Sequence, residues 1–543
     1  MKHFNIAFKP DGKEISIHKG ATLLEAAGQA GIILNNVCGG KGICEKCVVN
    51  LEPGGQRVLA CQHHIQSDLI VTIPPTSRFF EQKILTAGID AKTKVRPDVY
   101  KKYKKPDTSD KILGIAIDIG TTTVVAKLVD MTTGQCLATQ ADLNPQTRYG
   151  DDVISRIAFA QTDAKLAKLH TLIINCINKL TAQLCNEVSI NAAQIYETCA
   201  VGNTTMNHIF LKLPITSLGS APYNAVTLEA KDVPPEKLGL QINPAGNVHT
   251  VENIAGFVGS DTTAVALAVD IGSAKDPTLA VDIGTNGEIV LGTSGRLYAA
   301  SCAAGPAFEG ARISCGSRAV EGAIEAVIVN DNDIDFDVIG SRPPHSVCGS
   351  GLVDAMAVLL DLGIVDATGC FVAPGKLPPD LPPAIRSRIT EYNGQPAFYL
   401  HRVLFSPHPC GGGSLEPNVS ERSLFLTQDD VRQLQLAKAA IRAGIKLLQK
   451  KIGIGDSDIQ QVFLAGAFGN YIRRESALRI GLLPDIAAEK IHFVGNAASS
   501  GAEMVLISRK CRTQAKKLAR KIEYVELANE KDFTSAFADS MRF

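Results

Sequence analysis

The sequence predicts a multi-domain chain, with a small α+β domain at the N-terminus followed by an α/β unit present twice. Three observations predict it. Four cysteines, Cys38, Cys44, Cys47 and Cys61, fall in the N-terminal region with glycines among them. An apolar strand ending in Asp-Ile-Gly-Thr occurs at 115–121 and again at 279–285. The segments after these two copies also match one another in order.

Length and charge narrow the class. At 543 residues the chain is too long for one core. Lys+Arg and Asp+Glu both number 55, so no global field favours nucleic acid or an anionic membrane. No apolar run reaches the roughly 18 residues of a membrane-spanning helix. The opening stretch, MKHFNIAFKPDGKEISIHKG, alternates like a strand rather than a secretion signal. The expectation is a cytoplasmic protein without nucleic-acid or membrane partners. In a reducing compartment its 14 cysteines point to metal ligation or buried thiols rather than disulfides.

Residues 3–8 and 13–18 read as strands joined by the Pro10-Asp11-Gly12 turn. TLLEAAGQA (22–30) reads as a short helix with Thr22 as its N-cap. VLACQ (58–62) brings back the fourth cysteine, and LIVTIP (69–74) closes the sheet. The cysteine pattern is C-x5-C-x2-C-x13-C. A zinc site usually shows two close pairs, and only Cys44 and Cys47 are so spaced. Glycines 39, 40 and 42 instead let the backbone bring N–H groups close to cluster sulfurs. This order resembles a [2Fe–2S] ferredoxin-like (β-grasp) domain over about residues 1–78. The resemblance implies Cys38, Cys44, Cys47 and Cys61 as the metal ligands, passing single electrons. The plant-type spacing is C-x4-C-x2-C; here the first gap is one residue longer, as in the adrenodoxin-like branch.

Residues 79–111, with Lys101, Lys102, Lys104 and Lys105 between Pro97 and Pro106, read as a flexible linker. Such a tether would let the first domain swing between electron donor and acceptor, and its lysines could dock an acidic partner.

ILGIAIDIGTTTVVAKLVD (112–130) reads as a strand ending at Asp118, a Gly-Thr-Thr turn and a second strand. LAVDIGTNGEIVLGT (279–293) repeats it with Asp282 and Gly284-Thr285-Asn286. An aspartate at a strand end can hold hydrated Mg2+, and the turn beside it offers N–H and hydroxyl groups to phosphate. TCAVGNTTMNHIF (198–210) then pairs with VFLAGAFGNYIRR (462–474), and IAGFVGSDTTAVALAV (254–269) with KIHFVGNAASSGAEMVLIS (490–508). Each half is expected to run three strands, helix, strand, helix, strand, helix, the alternation that parallel strands need. No G-x4-G-K-[ST] is present, so a P-loop is excluded.

This duplication, over about residues 112–510, resembles the ribonuclease-H-like ASKHA superfamily of acetate and sugar kinases, Hsp70 and actin. The resemblance implies two facing halves, 112–270 and 271–543, with ATP and Mg2+ between them. Asp118 and Asp282 would be the catalytic metal-side carboxylates. Gly120, Thr121, Thr122, Gly284, Thr285 and Asn286 would contact phosphate, and Gly466 and Gly469 would make room for adenosine. Glu288 and Glu309 stand nearby in sequence, and no water-activating base is assigned. Cys302, Cys315 and Cys348 read as packing residues, and SPHPCGGGSL (406–415) as a surface loop.

The fusion is similar to the reductive activators of corrinoid-dependent enzymes, which return Co(II) corrinoid to Co(I). CGGKGICEKC, LACQ, DIGTTT, DIGTNGE, AAGPAFEGARISCG, VCGSGLVDA and QLAKAAIRAG carry that resemblance across nearly the whole chain. It implies an ATPase coupled to single-electron transfer. Its partners would be a corrinoid (iron–sulfur) protein or a methyltransferase's corrinoid subunit, an upstream electron donor, and a second copy in a homodimer. A plant-type cluster sits near −400 mV, and moving one electron uphill by about 100 mV costs roughly 2.3 kcal/mol, which ATP hydrolysis covers. The chain has no D-x-H-x-x-G, so it would visit cobalamin on a partner. Three readings compete: an activator of another low-potential dehydratase or reductase, a small-molecule kinase with an accessory cluster, and a nucleotide-gated sensor.

Overall fold

A computed structural model describes residues 3–10, 12–30, 32, 34, 42, 47–74, 77, 93–101, 112–284, 286–330, 332–402, 423–466 and 472–543. Cys38, Cys44, Thr285, Gly469 and the loop 406–415 lie outside the described residues.

The first domain is a five-stranded sheet with a helix. Strands β1 (His3–Lys9) and β2 (Lys13–His18) pair antiparallel, with Ile6 opposite Ile15. Helix α1 (Leu23–Gln29) opens on a reciprocal cap. The Thr22 N–H donates to Glu25 Oε2 at 2.8 Å, and the Glu25 N–H donates to Thr22 Oγ1 at 3.2 Å. With β3 (Val48–Glu52), β4 (Gln56–Leu59) and β5 (Leu69–Thr72), the strand order is β2-β1-β5-β3-β4. The last strand closes the sheet from its middle, parallel to β1 and antiparallel to β3. Phe4, Ile6, Phe8, Leu23, Val49 and Val71 belong to a core of its own.

Part of the expected 79–111 linker is docked. The Arg96 N–H donates to the Ile507 carbonyl at 2.8 Å, and the Arg509 N–H donates to the Arg96 carbonyl at 2.9 Å. Val99 is buried. Residues 93–101 are thus held against the Ile507–Arg509 segment and are not a free tether.

The duplication appears in the sheets. The first half has β6 (Leu113–Ile119), β7 (Thr123–Asp130), β8 (Cys136–Leu143), helices α2 (Val153–Phe159) and α3 (Asp163–Glu187), β9 (Ile195–Gly202) and α4 (Thr204–Phe210). β10 (Asp232–Val233), α5 (Pro235–Leu238), β11 (Asn247–Thr250) and α6 (Ser260–Ala268) complete it. The second half has β12 (Thr278–Ile283), β13 (Gly287–Thr293) and β14 (Arg296–Cys302). Two small three-stranded sheets follow, β15 (Ala323–Asn330), β16 (Asp333–Val338), β17 (Ser346–Val347), and β18 (Ile389–Tyr392), β19 (Gln395–His401), β20 (Leu424–Thr427). Helices α7 (Gly349–Asp361) and α8 (Pro383–Arg386) lie among them. This insertion is an addition to the expected alternation. α9 (Gln428–Ile452), β21 (Gln461–Ala465), α10 (Arg474–Arg479), β22 (Ile491–Gly495), α11 (Ala497–Ile507) and α12 (Arg509–Lys521) resume it. The central strand orders correspond, β11-β9-β6-β7-β8 and β22-β21-β12-β13-β14.

Alternation along the two aspartate strands fixes how the halves meet. Leu113, Ile115, Ile117 and Ile119 point to one face and join a core with Leu169, Ile173 and Leu180 of α3. Ala116 points to the other face. In the second half Leu279, Val281 and Ile283 pack outward while Ala280 faces inward. The small inward faces share one core with α6, α11 and α12, so these three helices belong to both halves at once. Asp118 and Asp282 lie on the inward faces, two residues beyond Ala116 and Ala280, so the helix pair arrives beside them.

Candidate functional site

Two sites emerge. In the first domain, Cys47 and Cys61 are buried, 1% and 7% exposed. The Ala60 N–H donates to the Cys47 carbonyl at 2.9 Å, tying the two cysteine segments together. Gln62 Nε2 donates to Cys61 Sγ at 3.7 Å, an amide aimed at a sulfur. Half of the predicted ligand set is therefore adjacent, sheltered and supplied with a donor, as sulfur ligands require.

The second site lies between the halves, where the two strand–turn–strand motifs meet. Three side chains hold the first turn. Asn144 Nδ2 donates to the Gly120 carbonyl at 2.8 Å, and Asn203 Nδ2 donates to Thr121 Oγ1 at 2.9 Å. Arg156, fully buried, donates to the Thr121 carbonyl. Thr122 Oγ1 is buried and, among the described residues, has no hydrogen-bond partner. In the second turn the Gly284 N–H donates to the Asn286 carbonyl at 2.9 Å. Gly466, at the end of β21, has φ +86. A Cβ there would collide with Asp282 Oδ1, so only glycine keeps this edge of the cleft open.

The electrostatics are the strongest feature. Asp118 and Asp282 are partly accessible at the cleft floor. Burial raises the Asp118 carboxyl to about 7, against the donor Asn496, with the charge of Asp261 adding to the rise. Burial likewise raises Asp282 to about 7, reinforced by Asp261 and Asp118. Asp261 is itself raised by burial, and Glu288 rises through burial and the charges of Asp261 and Asp282. Four carboxylates thus oppose one another around one cleft. No three or more His, Cys, Asp or Glu among the described residues converge as direct metal ligands. A hydrated cation suits such spread carboxylates better than a dehydrated one.

Each half reaches into the other. Asn496, at the start of α11 in the second half, donates to Asp118 Oδ2 at 3.0 Å. Asp261, in the first turn of α6, acts from the first half on Asp282 and Glu288. The Phe-Val-Gly repeat was the sequence signal for both positions. Asn144 and Arg156 had no such signal, because their partners are backbone carbonyls that only the fold brings near, whereas Asn203, which reaches the Thr121 hydroxyl, lies in the repeated Gly-Asn segment. Glu309 is paired with Arg318 at 3.1 Å. Burial pushes the Cys302 and Cys348 thiols upward, consistent with packing roles. No helix among the described residues is long and apolar enough to cross a membrane.

Comparison with known proteins identifies the domains in which the two sites lie. Residues 4–74 match the 2Fe-2S iron-sulfur cluster binding domain, 113–274 the RACo middle region, and 276–543 the C-terminal domain of RACo, the ASKHA domain. The chain is 34% identical to the corrinoid activation enzyme RamQ of Eubacterium limosum, covering 98% of each. It is 24% identical to the [Co(II) methylated amine-specific corrinoid protein] reductase of Methanosarcina barkeri, covering 78% of this chain and 76% of that one. The solved structure of a reductive activator for corrinoid, iron-sulfur protein is 31% identical and superposes with a TM-score of 0.70, covering 99% of this chain and 98% of that one. With a cluster-binding domain, a duplicated ASKHA unit and a relative alike from end to end, the chain belongs to the family of RACo and the corrinoid activation enzyme RamQ.

Proposed function

We propose that the chain is an ATP-dependent reductive activator that returns a corrinoid protein from Co(II) to Co(I) by single-electron transfer. One observation carries the reading: a 2Fe-2S domain and two facing phosphate turns share one chain that is similar to RamQ over 98% of its length. Cys38, Cys44, Cys47 and Cys61 hold the [2Fe–2S] cluster, which supplies one electron at a time when bound. Burial of Cys47 and Cys61 keeps water from two of these ligands, and the Gln62 amide steadies a sulfur's negative charge.

Asp118 and Asp282 hold Mg2+ through its water shell. The mutual repulsion of Asp118, Asp261, Asp282 and Glu288 supports this, because a cation would relieve it. Bound there, Mg2+ supplies charge neutralisation at the phosphates. Gly120, Thr121, Thr122, Gly284, Thr285 and Asn286 bind phosphate oxygens, and Gly466 and Gly469 leave space for adenosine. Both turns must close on one nucleotide while α6 and α11 reach across the boundary. ATP cleavage therefore changes the angle between the halves, and the docked corrinoid protein feels that change. An upstream electron donor reduces the first domain, and the protein works in the cytoplasm as a homodimer.

The test uses anaerobically purified protein and a Co(II) corrinoid protein from the same cell, with reductant present and ATP added last. The visible spectrum should show the Co(I) band only after ATP, and Cys44→Ser should abolish it. A reducible cluster with bound ATP and no Co(I) would overturn the reading and favour the dehydratase-type activator or the sensor.

A further inference from the structure

The fold sets Asp151 beside the first phosphate turn. Arg156 Nε donates to the Gly150 carbonyl at 2.9 Å, Nη1 donates to Gln146 Oε1 at 3.2 Å, and the same guanidinium reaches the Thr121 carbonyl. One buried cation thus ties the residue before Asp151 directly to the turn. The neighbouring Asp152 is committed to the N-cap of α2, accepting from the Ser155 N–H at 2.6 Å. Asp151 is not so committed: its Oδ2 is shielded and, among the described residues, has no hydrogen-bond partner. From the second half, Glu309 and Arg318, paired with each other at 3.1 Å, lie close enough for their charges to act on it. Burial raises Asp151 to about 7; the charges of Arg318 and Arg156 oppose that rise, and Glu309 and Asp152 add to it.

We propose that Asp151 is the catalytic carboxylate that orients the attacking water in ATP hydrolysis. The proposal rests on the ATPase reading above. The water oxygen forms a bond to the γ-phosphorus, and the bond from that phosphorus to the β–γ bridging oxygen breaks, its electron pair leaving with ADP. Asp151 Oδ2 takes the water proton and returns it to the released phosphate, so nothing is oxidised or reduced. Because Arg318 and Glu309 come from the other half, the carboxylate is set for this task only when the halves are closed.

The experiment compares full-length wild type with Asp151→Asn and Asp151→Ser for phosphate release, Mg-ADP binding and the pH dependence of kcat. General-base loss should lower kcat about 100-fold or more while Mg-ADP affinity stays within about 2-fold. The acid limb of the kcat profile near neutrality should disappear, and Asp151→Glu should regain part of the rate. Melting temperatures of both variants should match wild type, and the serine variant guards against a loop that asparagine alone perturbs. A kcat within about 3-fold of wild type in both variants overturns the proposal. So does a loss explained wholly by weaker Mg-ADP binding, which would make Asp151 a closure contact. A wild type that releases no phosphate, with or without the corrinoid protein, overturns the ATPase reading itself. An active wild type with unaffected variants overturns only the role of Asp151.

Discussion

Asp118 and Asp282 stand at the ends of facing strands with Asp261 and Glu288 beside them, and each carboxylate is easier to protonate in the folded chain than in water. The folded protein therefore binds more protons than the unfolded chain between the ordinary carboxylate range and about pH 7. The stability these groups contribute is fully present below the unfolded-state value and is lost as the pH rises through about 7. Without Mg2+ and nucleotide, the melting temperature should fall on going from about pH 5 to about pH 7.5. Saturating Mg-ADP should flatten that fall, since a bound cation favours the ionised carboxylates. Thermal melts at both pH values, with and without Mg-ADP, decide it; a flat ligand-free profile would mean that folding does not raise these buried carboxyls.

Among the elements, α6 and α11 set how closely the halves approach. Gly501 lies in α11 where an added Cβ would collide with the Ala264 carbonyl of α6. The small residues along these helices are therefore a requirement of distance. Gly501→Val should cost about 1–3 kcal/mol, as overpacked contacts do. It should also slow ATP turnover, because Asn496 and Asp261 ride on the first turns of the two displaced helices. Denaturant unfolding together with phosphate release checks this. Full stability with normal turnover would show that the pair tolerates separation.

At the scale of the whole molecule, a buried ion pair between Lys127 and Glu503 spans the two halves. Lys127 Nζ on β7 meets Glu503 Oε2 on α11 at 3.2 Å, with side chains 9% and 8% exposed. Removing one partner strands a buried charge, so Lys127→Met or Glu503→Leu alone should destabilise by about 3–5 kcal/mol. The double substitution should recover much of that loss, since an apolar pair needs no charge desolvated. A double-mutant cycle by chemical denaturation tests it, and simple additivity of the two losses would show that the pair is not coupled. The docking of residues 93–101 onto α12 belongs to this scale too. Arg512 on that helix donates to Glu197 at 2.9 Å, linking α12 to β9 beside the anchored segment.

The sequence by itself determined the chemistry that is local in the chain. Cysteine spacing, glycine-rich turns and aspartates at strand ends are written in consecutive residues, because each depends on backbone within a few positions. The alternation of Ile115, Ala116 and Ile117, and of Leu279, Ala280 and Val281, even encodes which strand face stays small. Only the tertiary structure decided which groups meet across long separations: Asn496 with Asp118, Arg156 with the Thr121 carbonyl, Asp151 with the Glu309–Arg318 pair. The Phe-Val-Gly repeat marked the position of Asn496 but not its partner, and Arg156 and Asp151 meet a backbone carbonyl and charges distant in the chain, with no periodic or motif signature. They become neighbours because α6, α11 and α12 pack between the two halves, a choice set by burial of the whole core rather than by any short stretch.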